Sequence, residues 1–298
     1  YDRTQIAYYG DQSGQMELYV MDAKAGAEPR QVSNGEVPRA LRAGFCWSRD
    51  GKFIIFPKDN HGDEQHNLWR IDLESGAAEQ LTDNPNCQEY PVEIAPDNRT
   101  LLVNTTLNGQ LNVHAFDLET KTYTQLTDYQ LPAFAMGWSP DGSQIAYMTN
   151  ETSDFKNNDI YTMNADSSNK QKRLQIKEGS GESASDWSPD GNLLAVATDA
   201  FGGDRVGVLD LNSDEVRWFS PETGTYYAGK FSPDGKRLTA LKNVDASVSA
   251  TVYNVETGEE EAVEMKPGMS FSNAWLDDER FLVGHNSDTA RTELIDYD

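Results

Sequence analysis

Short runs of hydrophobic residues alternate with polar turns along the whole chain, and no segment shows a helical period. Clear examples of these runs are residues 53–56, 101–103, 145–148 and 193–196. Runs of about four to eight residues that are bounded by Gly, Pro, Asn and Asp are typical of β-strands. The pattern therefore predicts an all-β protein.

One tight turn recurs between these runs. Ser-Pro-Asp-Gly occupies residues 139–142, 188–191 and 232–235, and variants of it occupy 48–51, 95–98 and 276–279. Successive copies begin 47, 44, 49, 44 and 44 residues apart. A period of about 40 to 50 residues is typical of repeat architectures. We expect Pro to fix φ, Asp to accept bonds from its own backbone, and Gly, or Asn98 in one copy, to take a positive φ.

Each repeat contains four predicted strands. The first two flank the turn as a hairpin. A third strand follows, as at residues 68–72 and 160–164, and a short fourth strand ends in Gln-Leu-Thr at 80–82 and 125–127. Four antiparallel strands in a unit of this length predict one blade of a β-propeller.

The number of blades comes from counting the repeats in both directions. Residues 2–8 align with residues 141–147, which adds a unit before the six that begin at the turns. We predict a seven-bladed β-propeller of four-stranded antiparallel blades in one domain, 1–298, with incomplete first and last blades. The predicted blades are approximately 1–36, 37–85, 86–130, 131–180, 181–224, 225–268 and 269–298. Six blades are the alternative, with the two partial ends sharing one blade. We interpret the chain as a segment of a longer polypeptide.

The charge balance narrows the choice of partners. The chain has 25 Lys and Arg against 49 Asp and Glu, which gives a net charge of −24. Nucleic-acid binding needs a basic surface, so we expect no nucleic acid. No run approaches the roughly 18 apolar residues of a membrane helix, so we expect no membrane partner. We interpret the acidic excess as a halophilic adaptation, with an ordinary acidic surface as the alternative.

Residue types that carry catalysis are sparse. The four histidines, His61, His66, His114 and His285, have no zinc-site spacing. There is no Gly-x-Ser-x-Gly elbow and no phosphate-binding glycine loop. We therefore predict no catalytic residue, no metal and no cofactor in this chain. Cys46 and Cys87 are expected to be buried free thiols.

One loop stands apart from the other hairpin ends. It carries Asp59, then Gly-Asp-Glu at 62–64, then Asn-Leu-Trp-Arg-Ile-Asp-Leu at 67–73 and Gln-Leu-Thr-Asp at 80–83. This pattern, with residues 44–52 before it, resembles the propeller of the prolyl oligopeptidase family. It is closest to the acylaminoacyl-peptidase and dipeptidyl-aminopeptidase-like branch. The Ser-Pro-Asp-Gly turns and Leu-Tyr-Val-Met-Asp at 18–22 also resemble TolB-type propellers.

The resemblance implies a role without catalysis in this chain. Members of the family pair a propeller with an α/β-hydrolase domain that bears a Ser-Asp-His triad, and the propeller restricts entry to short peptides. No position here matches the triad. We therefore expect a domain that gates access and selects peptides for an α/β-hydrolase domain of the same polypeptide, in the cytoplasm. The expected contact residues are Asp59, His61, Asp63, Glu64 and His66. A solvated hairpin end is the alternative interpretation of this loop.

Two other functions stay open. The first is a stand-alone TolB-like propeller that binds a protein or peptide, in the periplasm or outside the cell. The second is a propeller lyase that acts on acidic sugars. Such lyases need a metal cluster with several histidines, and a net charge of −24 repels a polyanion.

Overall fold

All regular secondary structure in the described residues of the computed structural model is β-strand, as the sequence predicts. The structure describes residues 3–37, 44–59, 62–152, 154–287 and 293–297. Within these ranges there is no helix of the length and apolarity needed to cross a membrane. The chain divides into two compact units, Tyr1–Trp138 and Ser139–Asp298.

Unit 1 consists of antiparallel sheets whose strands follow one another in chain order. Its strands are β1 Gln5–Gly10, β2 Glu17–Asp22, β3 Arg30–Gln31, β4 Cys46–Trp47, β5 Phe53–Asp59, β6 His66–Asp72, β7 Ala78–Gln80, β8 Glu89–Ile94, β9 Thr100–Thr105, β10 Asn112–Asp117, β11 Thr122–Gln125 and β12 Ala133–Trp138. The sheet β1-β2-β3 has three strands, while β4-β5-β6-β7 and β8-β9-β10-β11 have four each.

Unit 2 repeats the same meander. Its strands are β13 Gln144–Thr149, β14 Asp159–Asn164, β15 Gln171–Leu174, β16 Glu182–Trp187, β17 Leu193–Thr198, β18 Arg205–Asp210, β19 Val216–Trp218, β20 Thr225–Phe231, β21 Arg237–Val244, β22 Ser247–Asn254, β23 Glu260–Ala262, β24 Gly268–Trp275, β25 Phe281–Ser287 and β26 Glu293–Tyr297. Strands β16 to β19 form a four-stranded sheet. A single parallel pairing, Val248 with Met269, joins the meander β20–β23 to β24–β26. The number of blades and their boundaries stay predictions.

The recurrent turn forms the bonds expected from its sequence. The Ser188 hydroxyl donates to Asp190 Oδ1 at 2.6 Å and accepts the Leu193 N–H at 2.9 Å, while Gly191 N donates to the Ser188 carbonyl at 2.9 Å. The Ser139 and Ser232 turns repeat this pattern. The glycines of all four Asp-Gly copies have φ between 72° and 74°, and Asn98 has φ 56°. Positive φ favours Gly and Asn, which explains why only these two residue types end the Pro-Asp copies.

The Gln-Leu-Thr ending of the fourth strand is a side-chain latch. In the sheet β8–β11, the Val113 N–H donates to Thr127 Oγ1 at 2.8 Å, and this hydroxyl donates to Asn112 Oδ1 at 2.8 Å. Gln125 Nε2 donates to the Thr127 carbonyl at 2.8 Å. Equivalent bonds to the main chain are made by Gln80 and Thr82 and by Gln31 and Ser33. This Gln-x-Ser/Thr latch adds side-chain bonds to the last main-chain bonds of the outer strand, such as that from Leu126 N–H to the Val113 carbonyl at 2.9 Å.

Neighbouring sheets within a unit are joined by apolar packing and by carboxylates. The cluster around Ile54 and Phe56 of β5 includes Leu18 and Val20 of β2, and all four side chains are buried. At a bulge in β8, Glu93 Oε2 accepts the Trp138 N–H at 2.9 Å. In unit 2, Asp186 makes the same link from a bulge in β16 to Phe231, also at 2.9 Å.

Gly137 is required where the Glu93 carboxylate crosses to the next sheet. Its φ is 142°, and a Cβ atom placed there would lie 2.9 Å from Glu93 Oε2. A larger residue would displace the carboxylate from the Trp138 N–H.

Candidate functional site

The loop singled out in the sequence is the end of the β5–β6 hairpin in unit 1. The two strands pair from Phe53 with Asp72 to Asp59 with His66, one pair more than β9 and β10 make with each other. We call residues 59 and 62–66 the acidic tip. The extra pair carries the acidic tip beyond the last pair of the shorter hairpins, so the tip is positioned by β-sheet pairing.

The predicted contact residues divide by exposure. Asp59 and His66 lie opposite each other at the base of the tip and are half-buried. Asp63 and Glu64 are exposed at its end. His61 lies outside the described residues. The structure therefore brings Asp59 and His66 together and presents Asp63 and Glu64 to solvent.

The acidic tip is hydrogen-bonded within itself and to the residues that precede β8. Gly62 and Glu64 have φ of 87° and 60°, and the Gln65 N–H donates to Asp63 Oδ1 at 3.0 Å. The His66 N–H donates to the Cys87 carbonyl at 3.1 Å. Gln88 Nε2 donates to the Glu64 carbonyl at 3.3 Å. Two of these bonds join the acidic tip to residues 87 and 88, just before β8.

Two residues that contact the acidic tip, Gln88 and Tyr90, cannot be predicted from the sequence of the hairpin. The Tyr90 ring lies 5.4 Å from the His66 ring, measured between centroids. Burial and, to a smaller extent, the charge of Glu64 raise the pKa of Tyr90. Gln88 and Tyr90 belong to the following sheet, and only the register of the repeat places them beside the hairpin.

The acidic tip is a cluster of carboxylates. Asp59, Asp63 and Glu64 are carboxylates, and they set a negative potential at the end of the hairpin. The cations that such a surface attracts include an amine or a guanidinium group of a peptide. Across the described ranges, no group of three or more His, Cys, Asp and Glu side chains is arranged to hold a metal ion.

Unit 2 contains one serine–histidine pair that resembles part of a catalytic site. Ser270 Oγ lies 3.1 Å from His285 Nδ1. Both side chains are buried, with 3% and 1% of their surface exposed. A nucleophile that solvent does not reach cannot meet a substrate, so this pair is part of the packing.

Both cysteines are buried free thiols, as the sequence predicts. Burial raises the pKa of each of them. The Cys87 sulfur lies 3.0 Å from Thr105 Oγ1. Neither thiol has the exposed, electropositive surroundings of a reactive cysteine.

The family of the chain is shown by its repeats. Residues 113–263 match the family model of the TolB beta propeller domain, which is just over half of the 298 residues. The chain therefore belongs to the TolB beta propeller domain family. The prediction of a TolB-type β-propeller is confirmed.

A curated relative is known from Agrobacterium fabrum. The chain is 24% identical to this uncharacterised protein over 174 residues, which covers 55% of the chain and 58% of the relative. The chain thus spans less than two thirds of the length of this relative.

Solved structures with the same fold have several activities. A puromycin-hydrolyzing peptidase of Mycobacterium tuberculosis has a TM-score of 0.79 at 13% identity, covering 99% of this chain and 49% of the peptidase. An oligogalacturonate lyase in complex with manganese has a TM-score of 0.76 at 16% identity, covering 98% of this chain and 85% of the lyase. At these identities the likeness shows the fold alone.

Proposed function

We propose that this chain is the propeller domain of a serine peptidase of the prolyl oligopeptidase family. In this proposal it gates access and selects short peptides for an α/β-hydrolase domain of the same cytoplasmic polypeptide, and carries no catalytic residue itself. The observation that carries the proposal is the acidic tip. Part of the pattern that resembles the peptidase family, Asp59 and residues 62–64, lies in this tip, and residues just before β8 donate to it or accept from it.

The hydrogen bonds of the acidic tip support a role in binding. A loop that is ordered before its partner arrives loses less conformational entropy on binding than a mobile loop does. Exposed Asp63 and Glu64 complement a peptide that carries a free amine or a basic side chain. The likeness to the Mycobacterium tuberculosis peptidase is in keeping with this role, because this chain covers 49% of that protein.

The test uses the full polypeptide that carries this chain, with Glu64→Gln as the variant and Glu74→Gln as its matched control. Glu64 precedes β6 and Glu74 follows it, so each substitution removes one exposed charge from an end of the same strand. We expect Glu64→Gln to raise KM for peptide p-nitroanilides with a free amine by about two- to fivefold, with kcat unchanged, as for a rim charge. Glu74→Gln should leave both constants unchanged.

Three results would reject the proposal. The first is equal kinetics for the two variants. The second is hydrolysis of p-nitroanilides by the purified chain Tyr1–Asp298 alone. The third is a coding sequence that holds no Gly-x-Ser-x-Gly motif and no hydrolase domain.

The family match supports a second candidate, a stand-alone TolB-like scaffold that binds a protein or peptide. Residues 113–263 carry that match, and they do not include the acidic tip. For this candidate, Glu64→Gln would weaken the binding of a basic peptide in a system without turnover. Reading the complete coding sequence separates the two candidates, because only the first requires a hydrolase domain.

A further inference from the structure

Arg205, the first residue of β18 in unit 2, lies against two aromatic rings. Its guanidinium carbon Cζ is 5.1 Å from the centroid of the Phe201 ring and 5.5 Å from that of the Trp218 ring. Both distances are within the limit of about 6 Å for a cation–π contact. The two rings meet edge to face, with 5.9 Å between their centroids. They cover much of the guanidinium group, and only 14% of the Arg205 side chain is exposed.

The hydrogen bonds of Arg205 leave one edge of its guanidinium group unused. Nε donates to the Ser220 carbonyl at 3.1 Å. Nη1 and Nη2 have no hydrogen-bond partner among the described residues, and neither atom is fully buried. Glu222 Oε1 lies 3.7 Å from Nη1, which is too long for a hydrogen bond, and the Glu222 side chain is 72% exposed. The edge formed by Nη1 and Nη2 is therefore available to an anion.

Arg217 in the neighbouring strand β19 shows how a stacked arginine is used for packing. Its Cζ lies 5.6 Å from the centroid of the Phe219 ring. Its Nη1 donates to the Glu256 carbonyl at 2.7 Å, and its Nη2 donates to the Val255 carbonyl. The donors of Arg217 are thus occupied by the main chain, whereas the outer donors of Arg205 are not.

The segments on either side of Arg205 are joined through their main chains. The Asp204 N–H donates to the Gly224 carbonyl at 2.9 Å. Gly203 lies against the same carbonyl, and a Cβ atom placed there would be 2.3 Å from its oxygen. This contact brings the end of the β17–β18 hairpin, which carries Phe201, next to the segment that carries Glu222.

The surroundings of Arg205 favour a carboxylate over other anions. The two oxygens of a carboxylate match the paired donors of a guanidinium edge. Asp199, Asp204 and Glu222 belong to the same two segments, and their charges repel a dianion such as a phosphate more strongly than a monoanion. The Phe201 ring is 41% exposed beside the guanidinium group, so it offers an apolar surface to the rest of the ligand.

We propose that Arg205 is a binding site for the carboxylate of a peptide. The two carboxylate oxygens accept hydrogen bonds from Nη1 and Nη2, and an adjacent apolar group of the ligand contacts Phe201. The carboxylate is the C-terminus of the peptide or the side chain of one of its Asp or Glu residues. The site is in unit 2 and makes no use of the acidic tip or of a hydrolase domain, so it goes beyond the proposed function.

The probe is the peptide N-acetyl-Ala-Ala-Phe, and the same peptide as its C-terminal amide is the matched ligand without a carboxylate. Isothermal titration calorimetry with the chain Tyr1–Asp298 measures binding in about 0.15 M KCl, which screens the net charge of the protein. We expect the acid to bind saturably and the amide to bind at least about tenfold more weakly, because the charged hydrogen bonds are lost.

A third peptide, N-acetyl-Ala-Glu-Phe amide, carries its only carboxylate on a side chain. Binding as tight as that of the acid would show that the site accepts side-chain carboxylates. Binding as weak as that of the first amide would assign the site to C-termini. Either result supports a carboxylate site once the acid and its amide differ.

Three variants test the role of Arg205. Arg205→Lys keeps the charge but removes the paired donors, so it should weaken binding of the acid about fivefold. Arg217→Lys is the matched control, since its donors are already occupied, and it should leave binding unchanged. Glu222→Gln removes a carboxylate beside the site and should strengthen binding about two- to threefold. A purely structural role of Arg205 would not produce this gain.

Circular dichroism checks that each variant folds. Equal binding of the acid and its amide would overturn the proposal, as would unchanged binding by Arg205→Lys or equal losses in the two arginine variants. If Arg205→Lys does not fold, the comparison of acid with amide and the Glu222→Gln variant decide. Unchanged or weaker binding of the acid by Glu222→Gln would then reject the site.

Discussion

At the scale of single residues, the first positions of β8 and β16 hold buried glutamates with different surroundings. Glu89 accepts bonds from Asn84 Nδ2 at 2.7 Å and from the Tyr123 hydroxyl at 2.6 Å, and Thr82 also donates to it. Both of its oxygens are therefore hydrogen-bonded. Three donors replace the water that this buried side chain has lost.

Glu182 is as buried as Glu89 but has fewer hydrogen-bond partners. Ser180 and Thr198 donate to its Oε1 at 2.6 and 2.7 Å, while its Oε2 has no hydrogen-bond partner. Burial raises the pKa of Glu182 against the effect of these bonds, and the charge of Asp159 adds to the rise. Folding therefore disfavours the charged form of this group relative to the unfolded chain.

These surroundings predict opposite effects of the same substitution. A raised pKa contributes stability below the usual value of about 4.5, and this contribution is lost as pH rises through the folded pKa. Glu182→Gln should match the wild type at pH 4 and exceed its free energy of unfolding by about 1 kcal/mol at pH 8. Glu89→Gln should lower the free energy of unfolding by about 1–3 kcal/mol at pH 8. The new amide N–H₂ group would face groups that donate to Glu89, so that buried donors would lose their acceptor. Urea denaturation at both pH values measures the differences, and the reverse order at pH 8 would contradict the assignment.

At the scale of elements, the turn of the hairpin β21–β22 contains a residue, Ala246, whose side chain is unfavourable at its backbone conformation. Val244 pairs with Ser247, which leaves the two-residue turn Asp245 and Ala246. Their φ angles are 48° and 64°. Two-residue hairpin turns with both φ positive favour Asn-Gly or Asp-Gly, and Ala bears a steric cost there.

Ala246→Gly should therefore stabilise the protein by about 1 kcal/mol. Ala77→Gly in the β6–β7 turn is the control, since Ala77 does not have a positive φ. There the added freedom of the unfolded chain should cost about 0.5–1 kcal/mol. Thermal unfolding should show shifts of opposite sign, and equal shifts would show that the φ of Ala246 is not the cause.

Among these elements, the sequence predicts local turns but not the contacts between residues that are far apart in the chain. The turn at 188–191 and the latch at Gln125 and Thr127 are local, so their residues identify them without a structure. The support of the acidic tip by Gln88 and Tyr90 comes from residues more than 20 positions further along the chain. No local sequence pattern predicts such a contact. The parallel pairing of Val248 with Met269 cannot be predicted from the sequence for the same reason.

At the scale of the whole molecule, excess negative charge dominates the surface. Arg99 already contacts both Asp117 and Glu119, at 2.7 and 2.8 Å. With 49 acidic and 25 basic residues, pairing every Lys and Arg once would still leave 24 carboxylates without a partner. Mutual repulsion of these charges opposes the compact state.

Salt should consequently stabilise this protein. We expect the melting temperature to rise steeply up to about 0.15 M KCl, where the screening length falls to about 8 Å. A further rise in molar KCl is expected if the surface is adapted to concentrated salt. Differential scanning calorimetry from 0.01 to about 3 M KCl measures both phases, with sucrose at matched viscosity as the uncharged control. A melting temperature that falls or stays flat with KCl would contradict the prediction.

The Gln-x-Ser/Thr latch has a consequence for how such a chain arose. Every bond of the latch at Thr127 joins groups that lie within 16 residues of one another, in a single sheet. A duplicated repeat therefore contains all the groups that form the latch. The neighbouring copy needs no compensating change. Copies with this property can diverge independently at their hairpin ends, which allows one of them to acquire an acidic tip.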